Sequence, residues 1–187
     1  MKTIRTLGLI LTAALIAGIS YGQKMEKPVE VGGAPMYDTR NIVQNAVNSK
    51  DHTTLVAAVK AAGLVETLEG PGPFTVFAPT NEAFDMLPGG TVESLLKPEN
   101  KDKLTAILTY HVVPGRLNSK ELARLIKEGN GTAELKTVAG GKLWIMMKGT
   151  DIVLKDENGG TATVTIKNVN QSNGVIHVVD HVLLPKS

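Results

Sequence analysis

The chain has 187 residues, with 20 Lys and Arg against 18 Asp and Glu, 42% hydrophobic residues and no Cys. That length suffices for one domain with a sizeable core, and the missing thiols exclude disulfide staples, thiol catalysis and thiolate metal sites. Removing residues 1–22 takes away Lys2 and Arg5 and no acidic side chain, leaving 18 basic residues against 18 acidic, so no basic patch remains to track nucleic acid.

Lys2 and Arg5 are followed by an uncharged apolar run from Leu7 to Ile19 and then by Ser20 and Gly22, the layout of a secretory signal peptide. The run falls short of the ~20 residues that a membrane span requires. Cleavage is expected after Gly22, with no stable span in the mature chain, and export without disulfides is ordinary for a bacterial envelope protein. Residues 23–35, with Pro28, Gly32, Gly33 and Pro35, have no apolar period and read as a flexible leader to a domain over 36–187.

Within that domain Ile42, Val43, Ala46 and Val47, then Leu55, Val56, Val59 and Ala62, recur at helical spacing. Thr53 or Thr54 is placed to cap the second helix and Gly63 to end it. Pro71-Gly72-Pro73 breaks the pattern, and Phe74 to Ala78 is a short strand bounded by Pro79. Thr80 stands where an N-cap belongs, ahead of Phe84 and Leu87, and Pro88-Gly89-Gly90 is a turn. Helices follow from Thr91 and Pro98, and Asn118-Ser-Lys-Glu121 has the spacing of a capping box for another that ends near Gly129. After Gly131 the pattern changes: Gly140-Gly141, Gly149 to Asp151, Asn158 to Gly160 and Asn173-Gly174 punctuate runs of Val, Ile, Thr and Leu, as in a meander of hairpins. Helices first and strands later make an α+β fold.

Three segments carry a resemblance. Phe74-Thr-Val-Phe-Ala-Pro-Thr-Asn-Glu-Ala-Phe84 and Asn173-Gly-Val-Ile-His-Val-Val-Asp-His-Val-Leu-Leu-Pro185 are similar to the two signature blocks of the fasciclin domain, and Tyr110-His111-Val112-Val113 resembles its tyrosine-histidine motif. The resemblance covers Ala34 to Pro185. It implies a wedge of two β-sheets with helices packed on one side, and a module for adhesion or interaction in place of an enzyme. It also implies integrin-type binding through Tyr110, His111, Val112 and Val113. The residues themselves offer packing as the other reading, with the Tyr-His pair as a buried polar network in which His111 bonds to backbone or to the Thr80-Asn81 turn. Thr80, Asn81, Phe84, His177 and Asp180 are read as structural members of the blocks.

The remaining constellations carry little chemistry. His177 and His181 are four apart, but in a strand that spacing spans ~13 Å, too far for one metal, and Asp180 points to the other face. His177 is therefore expected to be buried and hydrogen-bonded, with His181 near the strand's exit. No Gly-x-Ser-x-Gly elbow occurs, and the Gly pairs match neither a Walker loop nor a dinucleotide fingerprint. Asn130-Gly-Thr132 and Asn170-Gln-Ser172 fit the glycosylation sequon but coincide with turn chemistry. Trp144 lies in an apolar strand and is expected in the core, with Met146 or Met147 as candidates for an exposed apolar patch.

The sequence is read as a secreted, periplasmic or cell-surface-associated adhesion or protein-interaction module, non-catalytic and monomeric, with no cofactor and no metal. Its partner would be a cell-surface or envelope protein or polysaccharide. Two rivals stay open: a periplasmic carrier or sensor of a small hydrophobic ligand or envelope polysaccharide, for which an apolar cavity near Trp144 would speak, and a hydrolase, for which a solvent-open Ser or carboxylate beside His111 or His177 would speak.

Overall fold

A computed structural model describes residues 27–186; the expected signal peptide and the first part of the leader lie outside the described residues. Seven strands form one ladder in the order β4-β3-β9-β8-β7-β6-β5, with β3 Phe74–Pro79, β4 Val112–Pro114, β5 Thr132–Lys136, β6 Lys142–Lys148, β7 Asp151–Lys155, β8 Thr161–Gln171 and β9 Gly174–Val179. β8 belongs to both halves. Its first residues pair with β7 and the rest with β9, and register shifts between Val164 and Val169 bend it, so the ladder folds into a wedge.

The two signature blocks meet at the centre of this wedge. β3 and β9 pair in parallel, Phe74 beside Gly174 through Pro79 beside Val179. Both strands are covered on both faces, which explains their continuous apolar runs. On one face Val76, Ala78, Ile176 and Val178 join the core beneath the helices α1 Ile42–Ala46, α2 Thr53–Ala62, α3 Val65–Glu69, α4 Asn81–Asp85, α5 Thr91–Leu95 and α6 Lys101–Tyr110. On the other, Phe77 and Val179 join a second core, closed by Leu122 and Ile126 of α7 Ser119–Glu128 and by inward residues of β6 and β7 such as Leu143, Ile145 and Leu154. The fold is α+β, a fasciclin-type wedge with its helices packed against the sheet.

The helices follow their apolar spacing. Leu55, Ala58, Val59 and Ala62 make the buried stripe of α2, and Gly63 ends it at φ 71°, where Leu64 N closes back onto Val59 O at 3.0 Å. Thr53 and Thr54 do not cap this helix. Asn81 does so from another helix, accepting from Thr54 N at 3.0 Å and donating to Lys50 O at 2.8 Å. Asn118 caps α7 as expected, accepting from Lys120 N and Glu121 N at 3.0 Å, but Glu121 turns away to Arg124, so no reciprocal box closes.

The leader boundary needs correction. Val29–Val31 and Ala34–Met36 form a hairpin, β1 and β2, about a Gly32-Gly33 turn with φ of 60° and 72°. Val31 and Met36 are buried in the helical core. Gly32 packs so closely on α1's exit that a Cβ there would stand 2.4 Å from Ser49 Oγ. The ordered domain therefore begins ahead of residue 36.

Candidate binding site around the tyrosine-histidine motif

α6 runs directly into β4, so Tyr110 is the last helical residue, His111 caps it, and Val112 and Val113 pair with β3. All four side chains are buried: Val112 in the helical core, Tyr110 and Val113 in the second core, and His111 at 3% exposure between elements. Leu183 N donates to His111 Nε2 at 3.0 Å, which leaves Nδ1 to carry the hydrogen and donate to Ile107 O at 2.8 Å. Burial holds this neutral imidazole's pKa down at about 4, against 6.5 ordinarily. The Thr80-Asn81 turn is not its partner.

Tyr110 reaches the other way. Its hydroxyl donates to Lys142 O at 2.6 Å and accepts from Glu157 N at 3.2 Å, and burial pushes its pKa up to about 12. Gly141 lies so near the ring that a Cβ would come within 2.7 Å of Tyr110 Cε2. The motif thus ties β6 and the loop after β7 to α6. His111 ties down the C-terminal segment at Leu183, whose neighbour Leu184 donates N–H to buried Asp156 Oδ2 at 3.0 Å.

The structural residues of the blocks are equally committed. Thr80 Oγ1 accepts from Ala83 N at 3.3 Å, capping α4, and Phe84 is buried. His177 stacks on Phe77 with ring centroids 5.7 Å apart, accepts from Asn168 N at Nδ1 and donates from Nε2 to Leu117 O at 2.8 Å. Asp180 accepts from Thr163 N at 2.7 Å and pairs with the exposed His181 at 2.8 Å.

Sequence reasoning missed several polar residues. Asn173, read only as a turn residue, accepts from Ile42 N and donates to Leu68 O and Gly70 O, so it joins the first turn of α1, which Asn41 caps, to the end of α3. Asn45 bridges Tyr37 and Gln171 inside the helical core. Ser49 Oγ lies 2.9 Å from His52 Nδ1, a serine-imidazole pair whose partners are only 2% and 1% exposed beneath the β1–β2 turn. Burial lowers the His52 pKa; the Ala78 carbonyl lies near the ring, yet Nε2 completes no hydrogen bond. The Asn173 contacts and the Asn45–Gln171 contact would not stand out in one sequence, because Asn in a turn or helix has no signature for a partner more than 100 residues away.

An apolar cavity of about 70 Å³ opens beside the motif. Ile42, Val43, Leu55, Val59, Leu68, Phe74, Val76 and Val112 line it with an edge of His111, and exposed Lys60, Thr67 and Val138 stand at its mouth. The apolar cavity lies under α1 to α3 and not beside Trp144, where one would have spoken for a carrier. Trp144 is itself half-buried, in a polar groove on the outer face of β6. Chemically, His111 and His177 have both ring nitrogens committed to backbone, with no hydroxyl or carboxylate on them. Among the described residues no three His, Asp or Glu side chains stand together to hold a metal ion.

A parallel pair of signature strands, locked by buried Tyr and His tips, defines a fasciclin-type scaffold. The chain belongs to the fasciclin family, whose domain model matches residues 50–185. It is similar to Protein sll1483 of Synechocystis, 48% identical over 86% of this chain and 82% of that one. Immunogenic protein MPB70 of Mycobacterium bovis is 34% identical over 75% and 66%, and the pig transforming growth factor-beta-induced protein ig-h3 is 39% identical over 70% of this chain but 17% of its own length. Among solved structures, a FAS1 domain pair from the insect cell adhesion molecule Fasciclin I superposes with a TM-score of 0.69 at 18% identity, covering 78% of this chain and 51% of that one.

Proposed function

We propose that this fasciclin domain is a non-catalytic adhesion or interaction module acting outside the cytoplasm as a monomer, its partner a surface or envelope protein or polysaccharide. The observation that carries the reading is the state of the motif's chemistry. Tyr110, His111 and His177 spend their hydrogen-bonding atoms on backbone, so these groups brace a scaffold and leave recognition to the surface it presents. Membership of the fasciclin family supports the class. Among the described residues no helix is long and apolar enough to cross a membrane, and the N-terminal sequence supports export; intact mass of the exported protein should begin near Gln23. The functional test is adhesion. Beads coated with folded protein should bind cells of the source species and be displaced by soluble protein, whereas beads that behave like uncoated ones overturn the reading.

A second reading is favoured by the cavity under α1 to α3. Its apolar walls suit one aliphatic group of a larger ligand, since about 70 Å³ lies well below the ~300–1,000 Å³ of whole small-molecule sites. Native mass spectrometry of protein purified from its own cells tests this: a retained apolar adduct lost on substituting Val59→Phe supports it, and bare protein contradicts it.

A further inference from the structure

The chain's one tryptophan lies outside both cores. Leu143 and Ile145 point inward from β6 at 0% exposure, so Trp144 between them points to the outer face, beside Glu134 of β5 and Lys155 of β7 in the strand register. There the loop after β7 rises as a wall, and the two make a groove of about 520 Å³, within the ~300–1,000 Å³ of small-molecule sites.

The wall is held in place. Asp156 accepts from Asn158 N and Gly160 N at 2.9 and 2.7 Å within the loop and from Leu184 N across to the C-terminal segment. Asn158 Nδ2 donates to Leu184 O and Pro185 O, and Glu157 N donates to Tyr110 OH. The buried motif thereby fixes the groove's shape. What the groove offers is an indole flanked in the strand register by Glu134 and Lys155, and a wall of Glu157, Asn158 and Gly159, with Thr132 and Met146 alongside; the Glu157 carboxylate itself accepts from Lys186 N at 3.4 Å.

We propose that this groove binds a neutral glycan whose apolar C–H faces pack on Trp144 while its hydroxyls bond Lys155 and Asn158. An aromatic ring among donors and acceptors of both signs suits a pyranose, which presents an apolar face and a rim of hydroxyls. The mixed charge disfavours a polyanion, which needs a one-signed surface, and the polar wall disfavours an apolar protein anchor. This names a ligand for the module proposed above and rests on that non-catalytic reading.

Because Trp144 is the single tryptophan, its emission reports on the groove directly. The exported protein titrated with cellohexaose or chitohexaose should show a saturable change in Trp144 emission, and Lys155→Met should weaken binding roughly tenfold, as for the loss of a hydrogen bond to the ligand, with unchanged melting temperature. In affinity electrophoresis Trp144→Ala should lose retardation by the glycan and Trp144→Phe should keep part of it. Unaltered emission with both oligomers and with maltohexaose, or an equal response to polygalacturonate, overturns the assignment. That failure would leave the bead-adhesion result standing, so it is distinguishable from failure of the module reading itself.

Discussion

His111 is one side chain with two backbone partners, and its cost in acid follows from them. The folded pKa is held down at about 4 while the unfolded chain titrates near 6.5. Between those values the unfolded state binds a proton that the folded state refuses, so stability falls as pH drops through that window and levels off below it. His111 alone accounts for about 3 kcal/mol, and His52 and His177, both lowered by burial, act in the same direction. Thermal melts from pH 7 to pH 4 should show this decline; a flat profile would mean the imidazoles are solvated. His111→Ala removes buried volume and orphans Leu183 N and Ile107 O, an expected loss of about 2–4 kcal/mol. Tyr110→Phe leaves Lys142 O and Glu157 N without the hydroxyl and should cost about 2 kcal/mol, read from a denaturant midpoint.

At the scale of elements, asparagines do the joining. Asn81 caps α2 from α4, and Asn173 accepts from the first N–H of α1 while gathering the last carbonyls of α3. Thr80→Ala should cost about 1 kcal/mol, the ordinary value for an N-cap, whereas Asn173→Ala orphans three backbone groups at once and should cost about 2–4 kcal/mol. Equal losses in the two variants would contradict this ranking. The same contrast shows what one sequence reveals. α2, α7 and the strands after Gly131 were legible because their periods and turn residues are local. The Thr80 cap is local too, three residues from its donor. Asn81, Asn173 and His111 act across 27, 131 and 72 residues, and no local pattern records such a pairing.

For the molecule as a whole, two cores share β3 and β9 as their common wall, and the parallel pairing of these strands is the feature least visible in the chain. Each reads as an apolar run, and nothing in either names its neighbour. The β1–β2 hairpin was invisible for a related reason: three-residue strands interrupted by Pro35 carry no period, and Val31 and Met36 become core residues only once α1 and β8 are present. A chain beginning at Tyr37 loses both buried side chains, each worth about 1.5–3 kcal/mol, and uncovers the Ser49-His52 pair. It should melt well below the longer chain; an identical melting temperature would show the hairpin to be dispensable.

The central claim is that the tyrosine-histidine motif is internal bracing that shapes the surface without touching what binds there. A ¹⁵N histidine NMR titration of the folded protein addresses it most directly. His111 should remain neutral with its hydrogen on Nδ1 as pH falls from 7 toward about 4, taking a proton only as the domain unfolds or near that value. An imidazole at position 111 that titrates reversibly near 6.5 in folded protein, exchanging tautomers as a solvated ring does, would contradict the account.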